Sequence, residues 1–281
     1  MPDIIDVSYS SGDQAGYLAG AGVKTIIRYY SRDTSIPSKG LSAQEARSFT
    51  AAGLSLAIVH EARYGDQIAS FTQPLGLADA AYARNYGAKV INQPEGSAIY
   101  FGVDLDATTG QIKNSIIPYF QGVAAAMAAS NGLPVYQVGI YGSGASCDAV
   151  LSAGLARFAW LAQSTAWQGY KSFLQSNKWS LLQAMPSTVG EVECDPDKAN
   201  GEFGEFFLSD IVAQASASTG TVSARSGLRL RAGPGTDYDV LQLIPYGTQV
   251  YPVKRSGDWT LVSLAGDGAT DGFMNSHFLS E

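Results

Sequence analysis

Cysteine and histidine are nearly absent from this chain of 281 residues: Cys147 and Cys194 are its two cysteines, His60 and His277 its two histidines. Two thiols cannot build a disulfide framework and lack zinc-ligand spacing, and two distant imidazoles argue against a histidine-based metal centre. A single Cys147–Cys194 bridge is left open. No apolar stretch approaches the length of a bilayer-spanning helix, so membrane insertion is not expected. The opening Met1-Pro-Asp-Ile-Ile-Asp6 enters a strand pattern without a basic n-region or an apolar h-region, so no signal peptide is visible. Basic charge is also scarce. Lys and Arg number 18 against 25 Asp and Glu, a net charge of -7, with a pI near 4.8. Divided at about residue 215, the N-terminal part holds 13 basic against 19 acidic residues and the C-terminal part 5 against 6. Neither part carries the basic patch a nucleic-acid binder needs.

What the chain does have is apolar material for a full core, 46% of its residues at a mean hydropathy of zero. The small, polar, aperiodic run Ala213-Gln-Ala-Ser-Ala-Ser-Thr-Gly220 reads as a linker. It predicts a domain over 1–212, a linker over 213–221 and a second domain over 222–281. In the first part, strand-like runs fall at 4–8, 23–29, 54–60, 98–104, 135–141, 158–162, 180–183 and 192–195, with helical patterns between the first five. Ser42-Ala-Gln-Glu45 is a capping box opening a helix through Ala52. Residues 77–88 carry helical apolar spacing, and 111–130 form a long Ala-rich helix ended by Asn131-Gly132. Eight strands with helical crossovers predict a small TIM-like β/α barrel rather than an open sheet. The later strands lie too close together for full helices, so that side of the barrel is expected to be thinly covered. The tail differs: short alternating strands between Gly, Pro and Asp turns, as in Leu228-Arg-Leu-Arg-Ala-Gly-Pro-Gly, predict a small all-β barrel of about 60 residues.

The most informative stretch is Ala98-Ile-Tyr-Phe-Gly-Val-Asp-Leu-Asp106, a buried-strand pattern ending in two carboxylates two positions apart. Alternation puts Tyr100, Gly102, Asp104 and Asp106 on one face. Paired acids at the C-terminal end of a barrel strand are where such barrels keep their chemistry, and two neighbouring carboxyl groups are the equipment for cleaving a glycosidic bond. Capping of the next helix explains Asp106 but not Asp104. Other strand ends add Asp6, Glu61, Tyr141, Gln163, Gln183 and Asp195, which together predict a polar ring. With Tyr29, Tyr141, Trp160 and Trp167 around it, the ring resembles a sugar-binding cleft, aromatic faces for pyranose rings and carboxylates and amides for hydroxyls.

Residues 98–106, Val138–Gly144 with Cys147, Trp160-Leu-Ala-Gln-Ser164 and Cys194-Asp-Pro-Asp-Lys-Ala199 together resemble a glycoside-hydrolase-like family of unknown function related to the family 25 lysozymes, over nearly all of 3–210. The resemblance implies five β/α units followed by three bare strands, with Asp6, Asp104, Asp106 and Asp195 at the acidic positions of the lysozyme site. Family 25 lysozymes have Asp-x-Glu where this chain has Asp104-Leu-Asp106, so Glu61 is a second source of the acid. Residues 222–281 resemble a bacterial SH3 domain, with Leu228-Arg-Leu-Arg-Ala-Gly-Pro as the opening motif and Gly257-Asp-Trp259 as the Trp turn; Gly272-Phe273 stands where Gly-Trp is usual. Such modules commonly target cell walls.

The resulting expectation is a monomeric, cofactor-independent, lysozyme-like hydrolase of peptidoglycan glycan strands, acting outside the cell or in the wall. Asp106 is the expected general acid, Asp104 its partner and Glu61 the alternative acid, while Asp6, Tyr29, Tyr141, Trp160, Gln163, Gln183 and Asp195 bind substrate. Clustered carboxyls cannot all ionise, which leaves one protonated to act as donor. The rival reading is a wall-binding protein that holds glycan in the same cleft without cutting it. A cysteine peptidase built on Cys147, a nucleotide site at Gly142-Ser-Gly144, and a Ca²⁺ or Mg²⁺ site among the four aspartates are weaker alternatives.

Overall fold

A computed structural model describes residues 2–31, 36–61, 64–208, 219–264 and 271–280. The chain divides into two compact units, Met1–Phe49 with Gly53–Phe207, and Leu208–Glu281 with Thr50–Ala52. The stretch read as linker lies largely outside the described residues; Gly220 and Thr221, at its end, already belong to a strand.

The first unit is a closed eight-stranded barrel. Strands β1 (Ile4–Asp6), β2 (Thr25–Tyr29), β3 (Ser55–His60), β4 (Ala98–Gly102), β5 (Gln137–Gly142), β6 (Phe158–Leu161) and β7 (Leu181–Gln183) run parallel in sequence order. β8 (Ser187–Val189) forms a hairpin with β9 (Val192–Ala199). β9 is antiparallel to both β7 and β1 and so closes the ring. β2, β3 and β4 are buried along their whole length, as expected of parallel strands covered on both faces. Alternate residues point inward: Ile4, Ile27, Tyr29, Ala57, Val59, Tyr100, Phe158, Trp160 and Leu181 belong to one interior cluster with Phe203. The segment after β9 plugs the bottom. Tyr100 donates its hydroxyl to the Phe203 carbonyl at 2.8 Å, and Phe206 bridges Leu56.

Helices Ala15–Gly20, Ala43–Ala51, Gln73–Tyr86, Ile117–Ala128 and Gly144–Ser152 cover the first five crossovers. The sixth keeps only Tyr170–Ser176, and β7 to β9 has no helix. Two glycines let the covering helices Gln73–Tyr86 and Ile117–Ala128 meet backbone to backbone. A Cβ on Gly76 would stand 2.0 Å from the Tyr119 carbonyl oxygen, and one on Gly122 2.1 Å from that of Gln73.

Several boundaries differ from expectation for local reasons. The helix expected at 77–88 begins at Gln73, because Thr72 caps Leu75 and Pro74 sits in the first turn, a position proline tolerates. β9 runs four residues past Asp195, through Pro196, whose carbonyl accepts from Ala184 at 2.8 Å. The Ser42 capping box is half formed. Ser42 Oγ accepts the Glu45 N–H at 3.1 Å, but the Glu45 carboxylate is drawn away to Arg28, an outward residue of β2. Arg28 donates Nε to Oε1 at 3.0 Å and Nη2 to Oε2 at 3.1 Å, and both side chains are fully buried. Glu45 also accepts the Ser11 N–H at 2.9 Å.

The second unit is an all-β sheet of seven strands: β10 (Gly220–Val222), β11 (Leu228–Arg231), β12 (Val240–Ile244), β13 (Gln249–Ser256), β14 (Trp259–Ser263), β15 (Gly272–Asn275) and β16 (Leu279–Ser280), with β12 at one edge. Val222, Leu228, Leu230, Ile244, Val250, Val262 and Met274 form its core.

Candidate active site

At the C-terminal ends of the parallel strands lies a cavity of about 220 Å³, lined by Asp6, Tyr29, Val59, Glu61, Gly102, Asp104, Tyr141, Trp160, Gln163, Ser164, Gln183 and Asp195. A second hollow of about 450 Å³ shares Asp6, Tyr29 and Asp195 and extends under the β8–β9 hairpin, past Tyr9, Pro186, Thr188 and Glu193. Each expected residue of the cleft except Asp106 and Trp167 lines this cavity. β9 contributes Asp195 from its N-terminal half, because its antiparallel run brings that half to the same end of the barrel, opposite Asp6 in register.

Asp106 is elsewhere. The ladder of β4 ends at Gly102, with one further bond from Val103 N–H to the Tyr141 carbonyl at 2.8 Å. Beyond it the chain bends, and the Asp104 N–H donates to the Gly65 carbonyl at 3.1 Å. Strand alternation therefore carries as far as Gly102 and does not govern Asp106. That side chain is exposed, and its Oδ1 accepts the Gln168 N–H at 2.8 Å, tying down the loop after β6. The capping that Asp106 could have supplied comes from Thr108, in a complete capping box with Gln111.

Glu61 and Asp104 flank Gly102, where an added Cβ would lie 3.5 Å from Glu61 Cγ. Asp104 is exposed at the mouth of the cleft; partial desolvation there pushes its carboxyl above the usual aspartate range, and the charge of Glu61 pushes it further, partly offset by Lys39. Lys39 donates to Glu61 Oε2 at 2.9 Å and lies 4.6 Å from the centre of the Tyr29 ring. The sequence reading missed this lysine, which comes from the segment after β2 rather than from a strand end.

Asp6 forms the floor, where Tyr29 donates its hydroxyl to Oδ2 at 2.9 Å. Gln183 bridges the carboxylates, donating Nε2 to Asp195 Oδ2 at 3.1 Å and to Asp6 Oδ2 at 3.5 Å, while its Oε1 accepts the Tyr141 hydroxyl at 2.9 Å. Burial is the main cause of an Asp6 pKa of about 7, with the charges of Asp195 and Glu61 adding to it and the Tyr29 hydrogen bond opposing. Burial likewise raises Asp195. The sign of the consequence is fixed. Asp6 gives its full stabilisation below its ordinary pKa of 3.8 and loses it as the pH rises towards 7, where the buried carboxyl must ionise. The melting temperature should therefore fall between about pH 4 and pH 7, and Asp6→Asn should flatten that slope; an unchanged slope in the variant would refute the assignment.

Gln163 is half-buried, and its Oε1 is buried with no hydrogen-bond partner within the protein. Trp160 is 1% exposed and donates Nε1 to Asp197 Oδ1 at 2.7 Å. It is floor and core rather than an open stacking face. Trp167 does not line the cavity. Asp197 was also missed, although its spacing of two from Asp195 on one strand was the available signal.

The weaker alternatives find little support. Cys147 is fully buried on the helix Gly144–Ser152, its thiol against the Gly142 and Trp160 carbonyls, and burial pushes it far above thiolate range. It and Cys194 are both free thiols, so the open question of a bridge is closed. Ser143 caps its own helix by accepting the Ser146 N–H at 3.2 Å, which occupies the turn a phosphate would need. Among the described residues, no group of three or more His, Cys, Asp or Glu is placed to hold a metal ion.

In the second unit, Arg231 is buried and donates to the Thr236 and Tyr238 carbonyls at 2.9 and 2.7 Å. It organises its own loop. Tyr238 and Tyr246 are exposed, together with Val240, Leu241 and Leu243 on the edge strand β12. Among the described residues no helix is long and apolar enough to cross a membrane.

Comparison with known proteins agrees with this architecture. Residues 17–200 match the family described as Rv2525c-like, glycoside hydrolase-like domain, and residues 226–280 match the bacterial SH3 domain. Two Bacillus subtilis proteins, both described as uncharacterized, are similar to it. YbfG is 30% identical over 189 residues, 64% of this chain and 25% of its own length. FadG is 29% identical over 201 residues, 69% of this chain and 34% of its own. The chain thus spans about a quarter to a third of the curated relatives it matches. Among solved structures, the Tat-secreted Rv2525c of Mycobacterium tuberculosis, in complex with L-tartrate, is similar at a TM-score of 0.60 and 21% identity, covering 72% of this chain and 97% of that one. An uncharacterized B. stearothermophilus protein follows at 0.52 and 15%, covering 70% and 95%. The chain belongs to the Rv2525c-like, glycoside hydrolase-like domain family and carries a bacterial SH3 domain after it.

Proposed function

We propose that the barrel is a glycoside hydrolase of bacterial cell-wall glycan, brought to its polymer by the SH3 domain and acting outside the cytoplasm. The observation that carries this reading is the pair across Gly102. Asp104 is open to the cleft with its proton affinity raised, and Glu61 stands beside it as the anionic half of an ion pair with Lys39. Asp104 donates the proton to the leaving glycosidic oxygen. Glu61 stabilises the developing oxocarbenium charge or directs water. Asp6, Gln163, Gln183 and Asp195 hold hydroxyl and N-acetyl groups, and Tyr29 and Tyr141 offer ring edges. Asp106, the acid favoured by its sequence position, takes the part of a loop anchor. An extracellular site of action accords with Rv2525c being described as Tat-secreted.

Digestion of purified peptidoglycan with mass spectrometry of the released fragments tests the reading. New reducing-end muramic acid identifies a muramidase, and new reducing-end glucosamine a glucosaminidase. Absence of any product supports the second reading, a glycan-binding protein without turnover. That reading has an observation of its own: Lys39 holds Glu61 at 2.9 Å and Asp106 is turned out of the cleft, which leaves few free carboxyl groups for chemistry.

For the SH3 domain, the exposed apolar edge strand is the proposed wall contact. An uncharged, exposed strand edge is a ready surface for pairing with an extended peptide. Leu241→Ala with Tyr246→Ala in the full chain should lower co-sedimentation with sacculi several-fold and leave hydrolysis of soluble muropeptide oligomers unchanged. Undiminished sedimentation would remove β12 from the contact.

A further inference from the structure

The floor of the cleft contains two buried carboxylate oxygens with no partner, Asp6 Oδ1 and Asp197 Oδ2. The parent side chains are 5% and 8% exposed. Each carboxylate is anchored through its other oxygen, Asp6 by the Tyr29 hydroxyl at 2.9 Å and Asp197 by Trp160 Nε1 at 2.7 Å. Asp6 is opposite Asp195, and Ile4 opposite Asp197, across the β1–β9 seam. Directly opposed residues share a face, as do residues two apart on a strand, so Asp6 and Asp197 are diagonal neighbours on the inner wall. Diagonal Cβ atoms lie about 7–8 Å apart or less, a gap two aspartate side chains leaning towards each other can close.

Two ionised carboxylates with orphaned oxygens inside a barrel would be costly, because neither the lost hydration nor the mutual repulsion is compensated. One proton resolves both faults. The O–H on one acid donates to the orphaned oxygen of the other, and the pair carries a single charge. We propose that Asp6 and Asp197 form one carboxyl–carboxylate pair holding a single proton, and that Asp197 is a positioning residue acting on the cleft through Asp6. The other titratable groups around the pair are Tyr29 on β2, Lys39 after it, Glu61 after β3, Tyr100 on β4, Tyr141 on β5, and Cys194 and Asp195 on β9. Lys39 is the one cation named among them, and it is engaged by Glu61. Burial raises Asp197 well above the aspartate range, with the charge of Asp6 adding to it, in keeping with a retained proton.

The catalytic consequence rests on the glycosidase reading, but the pair itself does not. Infrared spectroscopy at slightly alkaline pH detects the carbonyl stretch of a protonated carboxyl, with the Asp6→Asn/Asp197→Asn double variant as baseline. A shared proton predicts a band in the wild type that is displaced or lost in Asp6→Asn and likewise in Asp197→Asn, since either substitution removes one half of the O–H···O⁻ bond between the two carboxyls. Two independent acids would each keep their own band in the opposite variant, and that result, or a wild type at baseline, overturns the proposal. Should one variant fail to fold by circular dichroism, the other decides alone against wild type taken to high pH. If the wild type also digests wall glycan, the acid limb of its pH–rate profile should move to lower pH in Asp197→Asn, where an amide donating to Asp6 favours the ionised form. Absence of turnover with the band pattern intact would sink the glycosidase reading and leave the carboxyl pair standing.

Discussion

Asp104→Asn is expected to lower hydrolysis of wall glycan by about 10²–10⁴-fold, the usual cost of removing a positioned general acid, while Asp106→Asn stays within a few-fold of wild type. The asparagine keeps the shape of Asp104 and cannot supply the proton. Asp106 lies outside the cleft, so its loss should loosen the loop around Gln168 rather than stop the chemistry. Removing a carboxyl that partial desolvation and Glu61 hold in an unfavourable state should leave the melting temperature of Asp104→Asn unchanged or raise it, as is common where an active site stores strain. The measurement is initial rate on purified sacculi alongside thermal unfolding of each variant. Equal losses in both variants would return Asp106 to the site, and full activity in Asp104→Asn would remove Asp104 from it.

The largest stability effect should come from the pair beneath β2. Arg28 and Glu45 are fully buried and joined by two hydrogen bonds, and Arg28 also donates to the Val7 and Ser38 carbonyls. Glu45→Ala leaves the guanidinium without its counter-charge and the Ser11 N–H without its acceptor. Breaking one side of a buried ion pair costs about 3–5 kcal/mol, or roughly 6–20 °C in melting temperature for a domain of this size. The double variant Arg28→Met/Glu45→Leu should recover much of that loss, because the penalty lies in the stranded charge more than in the pair. If Glu45→Ala melts with the wild type, the pair contributes nothing.

The sequence made the barrel legible because parallel strands buried on both faces read as apolar runs, and polar residues at their C-terminal ends mark one rim. Asp6, Glu61, Tyr141, Gln163, Gln183 and Asp195 were all found by that rule. The rule failed for Asp106 because alternation holds only while the ladder does, and the ladder stops soon after Gly102. It missed Lys39 because a lysine in an irregular segment has no periodicity to place it. Trp160 was legible as an inward residue, but nothing local distinguishes a ring that faces sugar from one held beneath the floor by Asp197. Glu45 matched its capping motif and was diverted by Arg28, a partner 17 positions away that no window around the helix contains.

The seam between β1 and β9 sets a condition on how this protein comes into being. Asp6 lies on the first strand of the barrel, and its neighbours Asp195 and Asp197 come from the last. On the ribosome, the nascent chain cannot complete the floor of its cleft until the whole barrel has emerged, and contacts of such long sequence separation form late. Any fragment released before β9 leaves Asp6 without the strand that faces it. Partial products of translation or proteolysis that lack β9 therefore lack the wall of the cleft that carries Asp195 and Asp197.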